Sequence, residues 1–415
     1  MTIQERIYQL ARIEGRPYSR PRQAVILAGG RGERMRPLTD DRPKPMIRVN
    51  GKPFLEYQIE QLREQGFEKV LLLLGYKAEV VQDHFGDGRR WGIRIDYSVT
   101  APELLTSSRV AAAKHLIDDC FLLLYCDNFW PMQIERLWER FCKAGRPALI
   151  TVYANDDSYS KGGVRLDDEE NVLAFDRDRR GPGLKEVEIS YAILTKAALQ
   201  ILPDRDEPFE QATYTELARQ GRLAAFKTAH RYYSVGSLAR LPTTERFLRR
   251  VPTVILDRDG VLNRRMSRGD YVKGWHEWQW CEGALDALQL LRAHGVRVLV
   301  ATNQPGIARG FLSTAGLEAI HANMAADARS SGGTIDGIFY CPHGWDEGCA
   351  CRKPQPGLLY QAQREFDLDL TRTYFIGDDD RDAGAALAAG CCFRRVSDET
   401  SLLDIARDLV SQKGM

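Results

Sequence analysis

Short apolar runs recur along the chain at Gln23–Ala28, Lys69–Leu74, Phe121–Tyr125, Val254–Leu256, Val298–Ala301 and Tyr374–Ile376. Runs of this length, bounded by Gly, Asp or Asn, read as strands buried on both faces of a parallel sheet. Between them the period changes. Pro53–Leu62 spaces its apolar residues for one face of a helix that Gly66 ends, and an Ala-rich segment after Asp382 predicts another. Alternating strands and helices predict an α/β fold with doubly wound sheets. An Arg-rich helix end meets Val251-Pro252 just before the Val254 strand, so a domain boundary is expected near Phe247–Pro252. The organisation expected is an N-terminal helical extension (1–22), a first domain (23–248) and a second (252–415). In the extension Ile3, Ile7 and Leu10 share one helical face, able to dock on the body or on another subunit, which leaves a homo-oligomer open.

Composition narrows the class of protein. A chain of 415 residues suits two domains of roughly 200 residues each. Lys+Arg 58 against Asp+Glu 57 leaves a formal charge of +1, so no strong field draws the chain to nucleic acid or a membrane surface. The clusters Arg177–Arg180 and Arg246–Arg250 read as solvated faces. No apolar run reaches the ~20 residues needed to span a bilayer, and Met1–Arg22 lacks the apolar core of a signal peptide, so a cytoplasmic protein is expected. Of nine cysteines, Cys120, Cys126, Cys142, Cys281, Cys391 and Cys392 lie in or beside apolar segments, as buried reduced thiols do. The other three share one loop, considered below.

Candidate chemistry concentrates at strand ends. Asp257 and Asp259 leave the Val254 strand one residue apart, and Gly260 lets the backbone turn there. Residues i and i+2 of an extended segment face the same way, so one carboxylate can attack while the other moves a proton. A solvated turn or a loose divalent-cation site is the plainer reading of that run alone. Three later segments weigh against it: Thr302-Asn303-Gln304 offers uncharged phosphate donors, Arg352-Lys353 two cations, and Asp378 to Asp382 acids suited to Mg²⁺. In that order, from about Val251 onward, the segments resemble the haloacid dehalogenase-like phosphatases. The resemblance implies Asp257 as a nucleophile forming an aspartyl-phosphate and Asp259 as general acid, then base. It also implies Thr302 and Lys353 holding the phosphoryl group, and Mg²⁺ on Asp257, Asp378 and the backbone carbonyl of Asp259. Asp379 and Asp382 either support the metal through water or cap the next helix, the cap being favoured for Asp382.

Cys341, His343, Cys349 and Cys351 lie in one short polar loop directly before Arg352. Three thiols and an imidazole complete the ligand set of a closed structural zinc site, against the alternative of unrelated reduced cysteines. This loop, with Asn303 to Gly310 and Tyr271-Val272, resembles the D-glycero-D-manno-heptose 1,7-bisphosphatases and the related histidinol-phosphate phosphatases. By that resemblance Asn303, Arg309 and Arg352 are substrate-binding candidates, Arg309 gripping the part of the substrate that is not cleaved.

In the first half, the Gln23 strand runs into Gly29-Gly30-Arg31-Gly32-Glu33-Arg34, then Pro37-Leu38-Thr39 and Pro43-Lys44-Pro45. Glycines let backbone N–H groups approach phosphate, and Arg34 and Lys44 can neutralise a departing pyrophosphate. No Gly-Lys-Ser/Thr follows, so this is not a P-loop. Together these residues resemble the sugar-1-phosphate nucleotidyltransferases, which makes both domains Rossmann-like; Asp127, at the end of the Phe121 strand, inherits the role of Mg²⁺ ligand. The chain departs from that family where chemistry is expected: Ser234 stands for a second metal-binding Asp, Leu104–Arg109 for a small glycine-rich loop, and Phe175–Asp178 for Glu-Lys-Pro. Asp176, Asp178 and Lys185 are candidates to compensate. Two expectations follow. Either the chain removes the 7-phosphate of a heptose 1,7-bisphosphate and transfers a nucleotidyl group, from GTP, to the remaining 1-phosphate, or it is a phosphatase only (for heptose bisphosphate or histidinol phosphate) with a degenerate binding domain.

Overall fold

The computed structural model describes residues 11–13, 15–267 and 269–412. The chain forms two compact units, Met1–Leu248 and Arg249–Met415. The helical face expected from Ile3, Ile7 and Leu10 lies outside the described residues. The rest of the expected helical extension is not helical: Ala11–Ile13 and Arg16–Tyr18 pair as an antiparallel hairpin, and Ile13 and Tyr18 enter the first core.

The first unit is built on a seven-stranded sheet. Its strands are β1 (Gln23–Ala28), β2 (Lys69–Leu74), β3 (Arg94–Val99), β4 (Cys120–Tyr125), β5 (Ala148–Tyr153), β6 (Val187–Thr195) and β7 (Leu223–Thr228), in the order β7-β5-β6-β4-β1-β2-β3. All are parallel except β6, which runs antiparallel to both neighbours. Alternate residues of each central strand feed opposite cores, which is why these runs contain no polar residue at the sheet centre. Ala24 and Ile26 pack with Leu55, Ile59 and Leu62 of helix α1 (Phe54–Glu64), while Val25 and Leu27 pack with Val110 and Ala113 of α2 (Thr106–Ala113). Each such side chain taken fully out of water contributes about 1.5–3 kcal/mol.

The second unit holds a wholly parallel sheet of β8 (Thr253–Leu256), β9 (Arg297–Asn303), β10 (Gly337–Cys341), β11 (Tyr374–Gly377) and β12 (Cys392–Arg395), ordered β10-β9-β8-β11-β12. Val254 and Leu256 face α3 (Ala284–Ala293) and α4 (Thr314–Ser330). Ile255 faces α5 (Gly357–Phe366) and α6 (Asp380–Ala389). With helices on both faces, the strand order reverses at β8, and a crevice opens beyond the carboxyl ends at such a switch point. Among the described residues no helix is long and apolar enough to cross a membrane.

Two sequence expectations need correction. Cys120 and Cys126 are buried, but Cys142, Cys281 and Cys391 are only half-buried and Cys392 is exposed: β12 is an edge strand, so one side of it meets water. The Arg177–Arg180 cluster is not merely a solvated face, because Arg177 and Arg179 line the cleft of the first unit.

Candidate active sites

The second unit's cleft, about 1150 Å³, lies at the switch point and is lined by residues of that unit alone, among them Asp257, Asp259, Thr302, Asn303, Arg352, Lys353 and Asp382. Parallel pairing of β8 with β9 and β11 brings the three strand ends together. Lys353, 2% exposed, is the centre of the site. Its ammonium contacts Asp257 Oδ1 at 2.8 Å and Asp382 Oδ1 at 2.6 Å and donates to the Ala301 carbonyl at 2.9 Å. Burial works against that charge, but the two carboxylates outweigh it and raise the lysine's pKa. Asn303 fixes the Lys353 peptide from both sides, accepting from its N–H at 3.0 Å and donating to its carbonyl at 3.1 Å. The amide expected to bind substrate lines the cleft and also positions the lysine.

Asp257 is buried, and burial pushes its carboxyl up to about 7 even though Lys353 opposes the rise; Asp382 and Asp259 add repulsion. One oxygen from each of Asp257, Asp378 and Asp382 lies within 4.8 Å of the others, a donor set that suits a hard divalent cation. Gly260 makes the room: at φ 94° its backbone turns beneath Asp378, and a Cβ there would sit 1.9 Å from Asp378 Oδ2. Asp378 is raised by burial, tempered by Arg265, which reaches it at 2.7 Å. The Asp259 side chain is outside the carboxylate trio. It accepts from Arg258 at 2.9 Å, Asn263 at 3.0 Å and Gln304 at 2.8 Å, and these partners hold its pKa down against burial. Gln304 also donates to Thr302 Oγ1 at 2.9 Å, tying the proton-transfer candidate to the phosphate-binding hydroxyl. Asp379 caps α6 and Asp382 completes the capping box, accepting from the Asp379 N–H at 3.1 Å. The cap expected of Asp382 is present, and the same side chain also pairs with Lys353.

Cys341, His343, Cys349 and Cys351 converge as one group. The separations among their ligand atoms are 3.2–3.6 Å. A tetrahedral ion at ~2.3 Å from sulfur and ~2.0 Å from nitrogen requires edges of about 3.4–3.8 Å, so this donor set fits Zn²⁺ with little adjustment. Arg352 leaves the loop and donates to the His343 carbonyl at 3.4 Å. Arg309 stands exposed beside the cleft, donating to the Tyr271 hydroxyl at 2.9 Å and lying over the rings of Phe311 and Trp345 at 5.0 and 5.3 Å.

The first unit's cleft, about 930 Å³, is likewise lined from one unit, by Gly29, Gly30, Gly32, Arg34, Lys44, Arg109, Asp127, Glu188 and Glu210 among others. Gly32 caps the short turn Glu33–Met35 at φ 66°. Lys44 reaches back over the cleft to Asp127 Oδ2 at 2.5 Å. Ser234 is buried, pairs with Asn128 in a short ladder and is not part of the cleft wall. Of the candidate compensators Asp176, Asp178 and Lys185, Asp176 is the one that lines the cleft. Asp176 spends its carboxylate on the N–H groups of Asp178, Arg179, Arg180 and Gly181, and Lys185 pairs with Asp156 at 2.7 Å away from the cleft. The carboxyls that do face Asp127 are Glu188, pushed up to about 8 by burial and by Glu210, and Glu210, raised by burial.

The family model of the haloacid dehalogenase-like hydrolases matches residues 174–390, more than half of the chain. The chain belongs to the haloacid dehalogenase-like hydrolases. The matched span extends back into the first unit, but the sheet and cleft of the hydrolase begin at Thr253. A nucleotidyl transferase family model matches residues 23–177, so a nucleotidyltransferase domain precedes the hydrolase domain. Among curated proteins, a D-glycero-beta-D-manno-heptose-1,7-bisphosphate 7-phosphatase of Pseudomonas putida is 47% identical over 137 residues, 33% of this chain and 77% of that protein. A D-glycero-alpha-D-manno-heptose-1,7-bisphosphate 7-phosphatase of Mycobacterium bovis is 39% identical over 144 residues, 34% of this chain and 75% of that protein. Among solved structures, HddC from Yersinia pseudotuberculosis covers 54% of this chain and 97% of its own at 24% identity and a TM-score of 0.48. D,D-heptose 1,7-bisphosphate phosphatase from B. bronchiseptica covers 39% and 98% at 38% identity and a TM-score of 0.37.

In this haloacid dehalogenase-like hydrolase the motif residues Asp257, Asp259, Thr302, Lys353 and Asp378 all meet at one crevice. Sequence reasoning missed two participants there, Arg258 and Arg265, and read Gln304 as a phosphate donor where the structure has it holding Asp259 and Thr302. Arg258 was readable only as part of a loop, yet it is 1% exposed, contacts His321 at 3.3 Å and holds Asp259. In the nucleotidyltransferase domain, Glu188, Glu210 and the buried Arg109 were missed.

Proposed function

We propose that the chain catalyses two consecutive steps of nucleotide-sugar formation: hydrolysis of the 7-phosphate of D-glycero-D-manno-heptose 1,7-bisphosphate, then nucleotidyl transfer from GTP to the heptose 1-phosphate. The observation that carries the first step is the Asp257–Lys353–Asp382 chain of contacts at the head of a cleft that also holds Thr302, with Asp378 grouped against Asp257 and Asp382. The heptose bisphosphate phosphatases to which the second unit is similar support the substrate.

Asp257 Oδ attacks the 7-phosphorus in line, the bond from phosphorus to the C7 oxygen breaks, and Asp259 gives that oxygen a proton. Thr302 and Lys353 hold the phosphoryl oxygens. Asp259 is ionised in the free chain, and a phosphate dianion placed beside it disfavours its charged form, raising its pKa toward the range a general acid needs. The deprotonated Asp259 then takes a proton from water, whose oxygen attacks the aspartyl-phosphate and restores Asp257. Asp257, Asp378 and the Asp259 carbonyl would hold Mg²⁺, which when bound offsets repulsion between carboxylate and phosphate. Cys341, His343, Cys349 and Cys351 would hold a structural Zn²⁺ that fixes Arg352 and Lys353. A cluster of reduced thiols suits a reducing compartment and NTP is a cytoplasmic substrate, which supports the cytoplasm for both steps.

In the first unit, Gly29, Gly30, Gly32, Arg34 and Lys44 bind the triphosphate, and an oxygen of the sugar 1-phosphate displaces pyrophosphate. Asp127 would hold Mg²⁺. A second reading, phosphatase activity beside a degenerate binding domain, is favoured by Ser234 standing outside the cleft. The experiment is to incubate the full chain with each anomer of heptose 1,7-bisphosphate, with histidinol phosphate, and with the four common NTPs, following phosphate and pyrophosphate separately. Phosphate and then pyrophosphate release supports the two-step reading; phosphate alone leaves the second. Faster release from histidinol phosphate than from either bisphosphate overturns the substrate.

A further inference from the structure

The first unit's cleft has a glycine-loop end, and beside it, where Gly29 and Gly75 follow the ends of β1 and β2, lies a slot bordered by Arg109, which lines the cleft. In mononucleotide-binding sheets the phosphates lie on the first strand–helix turn, and the nucleoside extends over the neighbouring strand ends. That slot is built for a flat group, because its walls are two residues without side chains, Gly29 and Gly75. It is occupied by the protein itself. A Cβ on Gly29 would meet Arg109 Cζ at 2.4 Å, and one on Gly75 would meet Arg109 Nη1 at 2.5 Å, so the planar guanidinium rests against both glycines.

Arg109 is 2% exposed. Its Nη1 donates to the Leu74 carbonyl at 2.9 Å and to Thr100 Oγ1 at 2.5 Å, and its Nη2 donates to the carbonyls of Gly29, Ala101 and Pro102 at 3.1–3.2 Å. Every one of these acceptors is uncharged. A guanidinium buried on carbonyls and one hydroxyl is a costly choice, since charged side chains are seldom fully buried unless paired with an opposite charge. The acceptors are also those that a base edge bearing N–H groups would use in that slot. Arg109 rises into it from α2, where a small side chain at the same position would leave the slot open.

We propose that Arg109 closes the nucleobase side of the first cleft, so that the wild-type chain holds a nucleoside triphosphate by its phosphates and discriminates weakly among bases. This rests on the nucleotidyltransferase reading of the first unit. It gives that reading a specificity: the Leu104–Arg109 segment, expected as a loop, becomes helical from Thr106 and sets an internal plug where a base would lie.

The test is titration calorimetry of the full chain with Mg²⁺ and GTP, ATP, UTP, CTP or tripolyphosphate, in an Asp257→Asn background that prevents hydrolysis. The heat lost on Lys44→Ala assigns binding to the first cleft. In the chain with Arg109 intact the four NTPs and tripolyphosphate bind with Kd values within about threefold of one another, and Arg109→Ala tightens at least one NTP about tenfold, leaving tripolyphosphate unchanged. The first of these measurements needs no change at Arg109 and decides even if that variant does not fold. One NTP binding about tenfold tighter than tripolyphosphate with Arg109 intact, or NTP affinities that fall or stay the same in Arg109→Ala, overturns the inference while leaving the nucleotidyltransferase reading in place. Failure of all five ligands to bind the first cleft in either chain removes both.

Discussion

Lys353→Met removes the cation between two buried carboxylates and keeps the volume of the side chain. Lys353 lies 2.8 Å from Asp257 and 2.6 Å from Asp382, and its side chain and that of Asp382 are 2% and 1% exposed. At ~2.7 Å and an effective dielectric of about 20, each contact is worth roughly 6 kcal/mol before desolvation is charged against it. Breaking a buried pair by removing one partner leaves an uncompensated charge, and the net loss expected near pH 8 without Mg²⁺ is about 3–5 kcal/mol. The loss depends on pH. Asp257 stands at about 7 in the folded chain, above the usual carboxylate value, and without Lys353 it rises further. A carboxyl raised on folding contributes stability below its unfolded pKa that is lost as pH rises through its folded pKa. The variant's deficit therefore shrinks as pH falls from 8 toward 7, where Asp257 holds a proton in the variant and not in the wild type, by up to about 1.4 kcal/mol per unit, and levels off below 7, where both are protonated. Urea unfolding of the full chain, read by amide exchange in β8, β9 and β11, separates this unit from the other. A deficit below about 1 kcal/mol at pH 8, or one that does not change down to pH 5, refutes the argument that Lys353 neutralises these acids.

Asp257→Asn should abolish phosphate release while circular dichroism and thermal melting stay near wild type; substantial residual turnover would end its role as nucleophile. Elemental analysis of protein purified without chelator should find about one zinc per chain, and Cys349→Ser should lose both metal and thermal stability, since binding energy at such a site is also folding energy. Gly260→Ala should cost phosphatase activity outright, because the new Cβ would stand 1.9 Å from Asp378 Oδ2 at a φ that favours glycine; activity near wild type would show that Asp378 can move without loss. For the first unit, Asp127→Ala should remove any pyrophosphate release, and Ser234→Asp should leave its magnesium requirement unchanged, because Ser234 is buried and is not among the residues that line the cleft; a lowered requirement would show that a carboxylate at 234 reaches the metal.

The elements easiest to read were those buried on both faces. Gln23–Ala28 and Lys69–Leu74 are strands with the bounds their apolar runs suggested, since a strand between two helical layers has no polar face to blur its ends. The strand Val187–Thr195 escaped because Glu188 and Ser190 interrupt it, and they do so where it borders the cleft. Asp257, Asp259, Thr302 and Asp378 were legible because they follow or end strands of a parallel sheet, whose ends converge, while Lys353 comes from the loop before α5. Pairings between distant positions were not: nothing in the order of residues says that Asp382, which caps its own helix, also meets Lys353. Arg109 was visible only as a departure from a small-residue pattern. Its meaning depends on Gly29 and Gly75, which the fold brings to either side of it.

Each cleft takes its whole lining from one unit. In genetic terms, a lesion in one half does not poison the other. A cell carrying two copies of the gene, one encoding Asp257→Asn and the other Asp127→Ala, retains one good phosphatase site and one good nucleotidyltransferase site on different molecules. If the product of the proposed first step passes between them through solution, the two alleles complement each other, and a strain bearing both makes the proposed end product that neither allele makes alone.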